Sequence, residues 1–396
     1  MARALRLAAR GLYTTQPNPH VGCVLERDGA IVGEGWHQRA GEPHAEVFAL
    51  RAAGERARGA TAYVTLEPCS HVGKTPPCAD ALIEAGVARV VVAAGDPNPK
   101  VAGAGLQRLR AAGITVEVGL LEAQARELNR GFFSRFERGR PWLRVKLAMS
   151  LDGRTALANG ESQWITGEAA RADVQRWRAR SSAILVGAGT ARADDPRLTV
   201  RLTKPGSESL LKTGSESLFA RGSRPEPEAP SKSDSDPVFA DPVFAFAKPL
   251  RVVLDRRLDA LALGCHLLDG SAPTLVLHAP GLQPQDGRHA KVELAAAPLT
   301  PDGRHFDLSA VLKLLAARGV NELQVEAGPT LCGTLLDAGL VDELLLYIAP
   351  TLLGDSARPL LRTTPLASLA ARRDWRVIER RMLGADERLL LRPAAV

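Results

Sequence analysis

The chain has 396 residues, 45% hydrophobic, 24% charged and only 4% aromatic, with a formal net charge of +7. That length supports two domains with ample core, and no apolar run reaches the roughly 18 residues a membrane span needs. No secretory leader pattern is present, and scattered arginines with so few aromatics argue against nucleic acid or membrane as partners while leaving anionic small molecules in place.

In chain order, residues 2–10 read as an Arg/Leu/Ala helix ending before Gly11. A Pro-rich turn (Pro17, Asn18, Pro19) leads into two strand-like runs, 21–25 and 30–36, joined by Asp28-Gly29, a hairpin signal. Helix and strand then alternate: helix 45–53, strand 62–66, helix 77–85 stopped by Gly86, strand 89–94, helix 104–112, strand 114–118 and helix 122–138. This pattern predicts a compact α/β sandwich. Residues 137–141 read as a linker, so the first domain is placed at 1–140 and the second at 141–396. The second series is strand 142–149, helix 168–180, strands 183–187, 251–254 and 273–278, helix 307–318, strand 322–326, helix 329–338 and strand 342–349. Strands near 375–382 and 387–392 close it.

The segment 204–248 stands apart. It is rich in Ser, Pro, Glu and Lys, and it repeats itself: the run from Gly206 recurs at Gly214 and the run from Asp236 recurs at Asp241. Such a composition buries too little apolar surface to order itself, so a disordered insert is expected there, without chemistry.

The chemistry of the first half rests on His44, Glu46, Cys69 and Cys78. One imidazole and two thiols are the protein ligands of a four-coordinate zinc with one position open to water. Glu46, two residues past the histidine, is not needed as a ligand and is left to move protons, which is the zinc-deaminase pattern. The ligands are expected at helix N-termini after strands, where the dipole favours thiolate. A structural zinc would take a fourth protein ligand, for which only His71 is near. The five cysteines (23, 69, 78, 265, 332) are odd in number and unevenly spaced, which reads as reduced thiols in a cytoplasmic protein.

Taken together, Pro17-Asn18-Pro19, Gly22-Cys23, His44-Ala45-Glu46, Glu67-Pro68-Cys69-Ser70-His71, Gly73-Lys74-Thr75-Pro76-Pro77-Cys78 and Asp96-Pro97-Asn98-Pro99 resemble the deaminase half of the bifunctional deaminase/reductase family of riboflavin biosynthesis. Eight residues separate the two thiols, where nucleoside and tRNA deaminases have two. A deaminase acting on RNA shares the zinc triad, but neither this spacing nor the attached second half fits it. Lys146 to Arg154, Ser162-Gln163-Trp164, Asp194-Asp195-Pro196 and Glu326-Ala327-Gly328-Pro329-Thr330 resemble the reductase half of the same family. Two departures from the family stand out: Met1 reads as a late start before the first helix, and the insert follows shortly after Arg201.

The resemblance implies an N-terminal cytidine-deaminase-like α/β/α sandwich and a C-terminal dihydrofolate-reductase-like domain using NADPH. It implies one Zn2+ per chain, small phosphorylated pyrimidine substrates, and leaves a homo-oligomer open. By the same resemblance Asn18 fixes the pyrimidine edge and His71 and Lys74 reach its phosphate, the alternatives being a turn residue between prolines and a solvated loop. Ala148, Trp164, Thr190 and Asp194 line the NADPH site, and Ser162, Arg178, Leu198, Arg201 and Glu326 hold the sugar-phosphate substrate. Gly328, Pro329, Thr330, Leu331, Cys332, Gly333 and Thr334 follow a strand and open a helix, which suits backbone capture of a cofactor phosphate. Arg256, just past the 251–254 strand, reads equally as a cofactor contact or a surface arginine. A second half that only scaffolds assembly is the other reading, and NADPH binding separates the two.

Overall fold

The computed structural model describes residues 1–70, 77–201, 246–283 and 287–394. The chain divides into two compact units, one built on Met1–Arg138 and the other on Gly139–Leu202 with Lys248–Val396. His71, Lys74 and most of the 204–248 insert lie outside the described residues.

In the first unit, α1 (Ala2–Ala9) precedes the hairpin β1 (Gly22–Arg27) and β2 (Ala30–Trp36). Then come α2 (Ala45–Ala53), β3 (Thr61–Leu66), α3 (Cys78–Glu84), β4 (Arg89–Ala94), α4 (Ala104–Ala111), β5 (Thr115–Val118), α5 (Glu122–Leu128) and α6 (Arg130–Glu137). The sheet order is β2-β1-β3-β4-β5, antiparallel through β1 and parallel from β3 onward. Strand alternation sends Cys23, Leu25, Ala62, Val64, Val90 and Val92 to one face, under Ala45, Ala49, Leu82 and Leu109 of α2, α3 and α4. Leu66 and Ala93 face the other way, against α1, α5 and α6. The result is the expected three-layer sandwich.

The expected helix 122–138 is two helices. At the break, Asn129 accepts the His20 N–H (2.8 Å) and returns its own amide to the His20 carbonyl (2.9 Å), fastening the joint to the segment before β1. This pairing spans 109 residues, so no local pattern announces it.

The second unit holds a nine-stranded sheet in the order β11-β10-β9-β8-β12-β6-β13-β16-β15. Its strands are β6 (Trp142–Ser150), β8 (Ala183–Gly187), β9 (Leu250–Leu254), β10 (Thr274–His278), β11 (Glu293–Ala296), β12 (Glu322–Val325), β13 (Glu343–Ala349), β15 (Trp375–Leu383) and β16 (Asp386–Pro393). Seven are parallel, and the closing hairpin β15–β16 runs antiparallel against β13. A small ladder pairs β7 (Arg154–Ala156) with β14 (Arg358–Pro359). Two helices, α9 (Leu308–Ala317) and α10 (Pro329–Asp337), bury Val311, Leu315, Cys332 and Leu335 on one face. On the opposite face α7 (Glu168–Arg180) packs Ala170 and Val174 on Leu345 and Tyr347, while α8 (Ala188–Asp194) packs Ala191 on Ile184 and Val253. The short elements β7, α8, β11 and β14 are not legible as periodic runs; Glu293–Ala296 carries no β-branched residue and pairs on one side only.

Two candidate active sites

The first site begins with how closely α2 approaches β2. A Cβ on Gly33 would fall 2.3 Å from the Ala49 carbonyl, and one on Gly35 would fall 2.4 Å from that of Ala45. Glycine in the strand is what lets the helix lie flat there. That seating fixes His44 at the N-cap and Glu46 in the first turn. Cys78 opens α3, so two of the three sulfur and nitrogen donors do sit at helix starts. Cys69 does not: it lies in the loop after β3, and its thiol instead accepts the Cys78 N–H at 3.4 Å.

The three donor atoms lie within 4.8 Å of one another, and they are the group among the described residues that could hold a metal ion. His44 Nδ1 is 3.2 Å from Cys78 Sγ and 3.5 Å from Cys69 Sγ. Bonds of about 2.0–2.3 Å in a tetrahedral zinc site give donor separations of roughly 3.3–3.8 Å, so donor type and spacing both fit the ion. The two thiols share a hydrogen bond that drives their acidities apart. The hydrogen bond from Cys78 lowers the Cys69 thiol to about 4, aided by His44, and the same contact with burial pushes Cys78 far up. The hydrogen bond to Cys69 raises His44.

Glu46 is 3% exposed, and burial raises its carboxyl above the usual range, partly offset by His44. Asn18 comes to the same place through His37, a residue no motif marks. His37 Nδ1 faces the Pro43 carbonyl at 3.1 Å, so that nitrogen carries hydrogen and Nε2 accepts from Asn18 Nδ2 at 3.1 Å. The His37 ring stands edge-on to His44, centroids 5.4 Å apart. Asp96 is the other group sequence left without a role: burial raises its carboxyl to about 6.

The second site is built where parallel strands of the large sheet end. Glu326 follows β12 and pairs with Arg178 of α7 through two bonds, 2.7 and 2.8 Å, while Gln324 donates to it at 2.9 Å. Burial alone would raise the Glu326 carboxyl, but the Arg178 guanidinium overrides it and holds it near about 2. Lys146 of β6 is the missed neighbour: burial lowers its ammonium, opposed by Glu326. A lysine on a strand whose neighbours are apolar is the signal that could have found it. Arg178 also donates to the Thr199 carbonyl at 3.2 Å, and the Arg201 N–H is held by Gln175 at 2.9 Å, with Leu198 buried just before Thr199. Arg201 has its charge disfavoured by burial and by Arg178.

Thr190 of α8 lies beside Gly328, whose added Cβ would come 3.9 Å from the Thr190 hydroxyl. Gly328 caps α10 and Pro329 occupies its first turn, leaving the amides of Thr330 and Leu331 at the helix start. The second turn is committed elsewhere. Cys332 is buried and donates to the Ala327 carbonyl, Thr334 bonds back to Thr330, and a Cβ on Gly333 would fall 1.8 Å from the Arg362 carbonyl. The glycine spacing is therefore half packing. Ala148 lies on β6 opposite Tyr347, and Asp194 ends α8, its carboxyl raised by burial with Arg358 opposing. Trp164 is 68% exposed, two residues past Ser162, with the Arg171 guanidinium 4.7 Å over its ring. The Arg256 guanidinium donates to the Gly303 carbonyl at 3.5 Å, and among the described residues no hydrogen bond or ion pair joins it to the others.

Comparison with known proteins places both halves of the chain in one family. The signature described as the cytidine and deoxycytidylate deaminase zinc-binding region matches residues 1–94, and that of the RibD C-terminal domain matches 141–383. The chain is 48% identical to the riboflavin biosynthesis protein RibD of Escherichia coli, over 98% of this chain and 96% of that one. Among solved structures, Acinetobacter baumannii RibD superposes with a TM-score of 0.82 at 42% identity, covering 100% of this chain and 98% of the other. A Thermotoga maritima protein titled as a diaminohydroxyphosphoribosylaminopyrimidine deaminase and 5-amino-6-(5-phosphoribosylamino)uracil reductase gives 0.78 at 30% identity, covering 100% and 97%.

Proposed function

The chain belongs to the RibD family, the bifunctional deaminases and reductases of riboflavin biosynthesis, and from that premise we propose how its residues divide the work. Residues 1–140 carry the deamination and 141–396 the reduction. The observation that carries this reading is the convergence of His44, Cys69 and Cys78 on one point with the buried Glu46 beside them.

His44, Cys69 and Cys78 would hold one Zn2+ per chain. When bound, the ion supplies Lewis acidity that lowers the pKa of a water to about 7. Glu46 takes the proton of the attacking water and delivers it to the leaving amine, which departs as ammonia. A carboxyl raised by burial is suited to exchanging protons near neutral pH. Asn18, its amide N–H already given to His37, keeps its carbonyl oxygen to accept from an N–H on the pyrimidine edge. His71 and Lys74 are assigned to the substrate phosphate by the charge and hydrogen-bonding capacity of their side chains.

In the second half NADPH supplies the hydride. Thr190, Asp194, Ala148, Trp164 and the Gly328–Thr330 turn would seat it, with Leu331 contributing an amide. The packing contacts of Cys332, Gly333 and Thr334 make them supports of that turn. Ser162, Leu198, Arg201 and the Arg178–Glu326 pair would hold the aminouracil ribosyl phosphate. Because Arg178 is already engaged by Glu326, Arg201 is the better phosphate partner of the two arginines. Arg256 contributes least to this arrangement. A cytoplasmic location fits five cysteines with no disulfide among them.

The test is incubation of the purified protein with the diaminopyrimidine ribosyl phosphate, with and without NADPH. Ammonia release is expected in both, and the ribityl product only with NADPH. Neither product from a folded protein would end this reading.

A further inference from the structure

Glu67 immediately precedes Pro68 and Cys69, is 4% exposed, and sets its carboxylate into the segment after β4. There its two oxygens accept four backbone amides. Oε2 takes those of Asp96 (3.2 Å) and Gly103 (3.0 Å), and Oε1 takes those of Gly105 (3.0 Å) and Leu106 (3.4 Å). Gly105 and Leu106 are the second and third residues of α4, whose amides are ordinarily capped by the side chain of the N-cap residue. The N-cap here is Gly103, which has no side chain and sits at φ 80. Glu67 is thus the cap of α4, delivered from 36 to 39 residues away.

The fit is close on the ligand side as well. A Cβ on Gly105 would fall 1.9 Å from the Pro68 carbonyl, so α4 abuts the peptide that leads into Cys69. Cys69 in turn is fastened to α3: its carbonyl accepts the Ala79 N–H at 3.1 Å and its thiol the Cys78 N–H at 3.4 Å. The 96–106 segment, Glu67, Cys69 and the start of α3 form one hydrogen-bonded chain.

We propose that Glu67 is a positioning residue of the deaminase site, holding the Cys69 loop against α4 so that the three donor atoms are gathered before zinc arrives. This rests on the zinc reading given above. A glutamine at 67 has the same shape but turns an NH2 group onto two amide donors, which pushes the loop from α4 and moves Cys69. Residues that orient a metal ligand from behind typically change metal affinity by about 10- to 100-fold when altered.

The test compares full-length wild type with Glu67→Gln, measuring zinc content, the rate of zinc release to a chromogenic chelator, deaminase kcat and KM, and NADPH oxidation by the same sample. Expected are release faster by roughly 10-fold or more, a fall in deaminase kcat with KM little changed, and unaltered reduction. Release and kcat within twofold of wild type overturn the proposal, even where the melting temperature drops, because a carboxylate serving only stability would give that result. Gly103→Ala is the second variant. It strains the same segment at its left-handed residue while leaving Glu67 itself unaltered, the added Cβ meeting nothing within 4 Å, and it too is expected to release zinc faster. Should Glu67→Gln prove insoluble, unchanged release in Gly103→Ala overturns the proposal. A wild type purified without zinc that still releases ammonia from the diaminopyrimidine overturns the zinc reading and this proposal with it, a result visible before any variant is made.

Discussion

Arg178 and Glu326, 148 residues apart, meet as a two-point ion pair with Nε–Oε1 at 2.7 Å and Nη2–Oε2 at 2.8 Å, both side chains almost out of solvent. A buried pair is weak as a net source of stability, but breaking it leaves one charge uncompensated, at a cost of about 3–5 kcal/mol. Glu326→Ala is therefore expected to destabilise the second unit by that order and to weaken NADPH oxidation, while ammonia release persists. Tryptophan fluorescence during urea unfolding reads it, since Trp142, Trp164, Trp177 and Trp375 all belong to that unit.

The same pair fixes a pH dependence. Glu326 is held near about 2 in the folded state against an ordinary 4.5. A depressed carboxyl contributes stability that is complete above its unfolded pKa and disappears as pH falls through the folded one. The stability gap between wild type and Glu326→Ala should be constant from pH 7 to about 5 and shrink between about 4.5 and 2. A gap independent of pH over that range would mean that the charge of Glu326 is not what the alanine removes.

Cys69→Ala should lose zinc and abolish ammonia release from the diaminopyrimidine while a soluble sample still reduces the deaminated aminouracil ribosyl phosphate. Metal analysis of wild type should give about one zinc per chain, as three protein donors and one open position require. Loss of both activities in a folded Cys69→Ala protein would point to a single composite site.

Glu46→Gln should keep its zinc and lose deamination by about 10²- to 10⁴-fold, the usual contribution of a general acid–base group. Deaminase activity within a few-fold of wild type would remove Glu46 from the proton path.

Gly333→Ala tests the reading of the glycine-rich turn. The new Cβ would meet the Arg362 carbonyl at 1.8 Å, and overpacking of this kind costs about 1–3 kcal/mol. Thermal unfolding of the second unit should fall with deamination untouched. A variant as stable as wild type but unable to bind NADPH would instead make Gly333 a cofactor contact.

Deleting residues 206–245 should leave both activities within a few-fold of wild type, because shortening a loop changes closure entropy only slightly. The cut stops short of Phe246, which packs edge-on against Tyr13 in the first unit, with the Ala247 N–H on the Tyr13 carbonyl. Loss of either activity in a soluble deletion variant would give the segment a role.

What the sequence determined by itself were the features written in local order. Helix α2 runs over the same residues, Ala45 to Ala53, that the periodicity marks, and α7 and β4 likewise match to the residue. The metal donors were legible because thiol and imidazole chemistry leaves few other uses for that spacing. Tertiary structure decided what depends on partners far along the chain. Asn129 breaks a helix for His20, Glu67 caps a helix that its own N-cap glycine cannot, His37 sets which way Asn18 turns, and Gly333 serves a carbonyl at Arg362. A side chain's type and its near neighbours fix what it can do chemically. Which buried amide or carboxylate it meets is fixed only when the packed sheets bring distant segments within hydrogen-bonding distance, where an unmet polar group is costly.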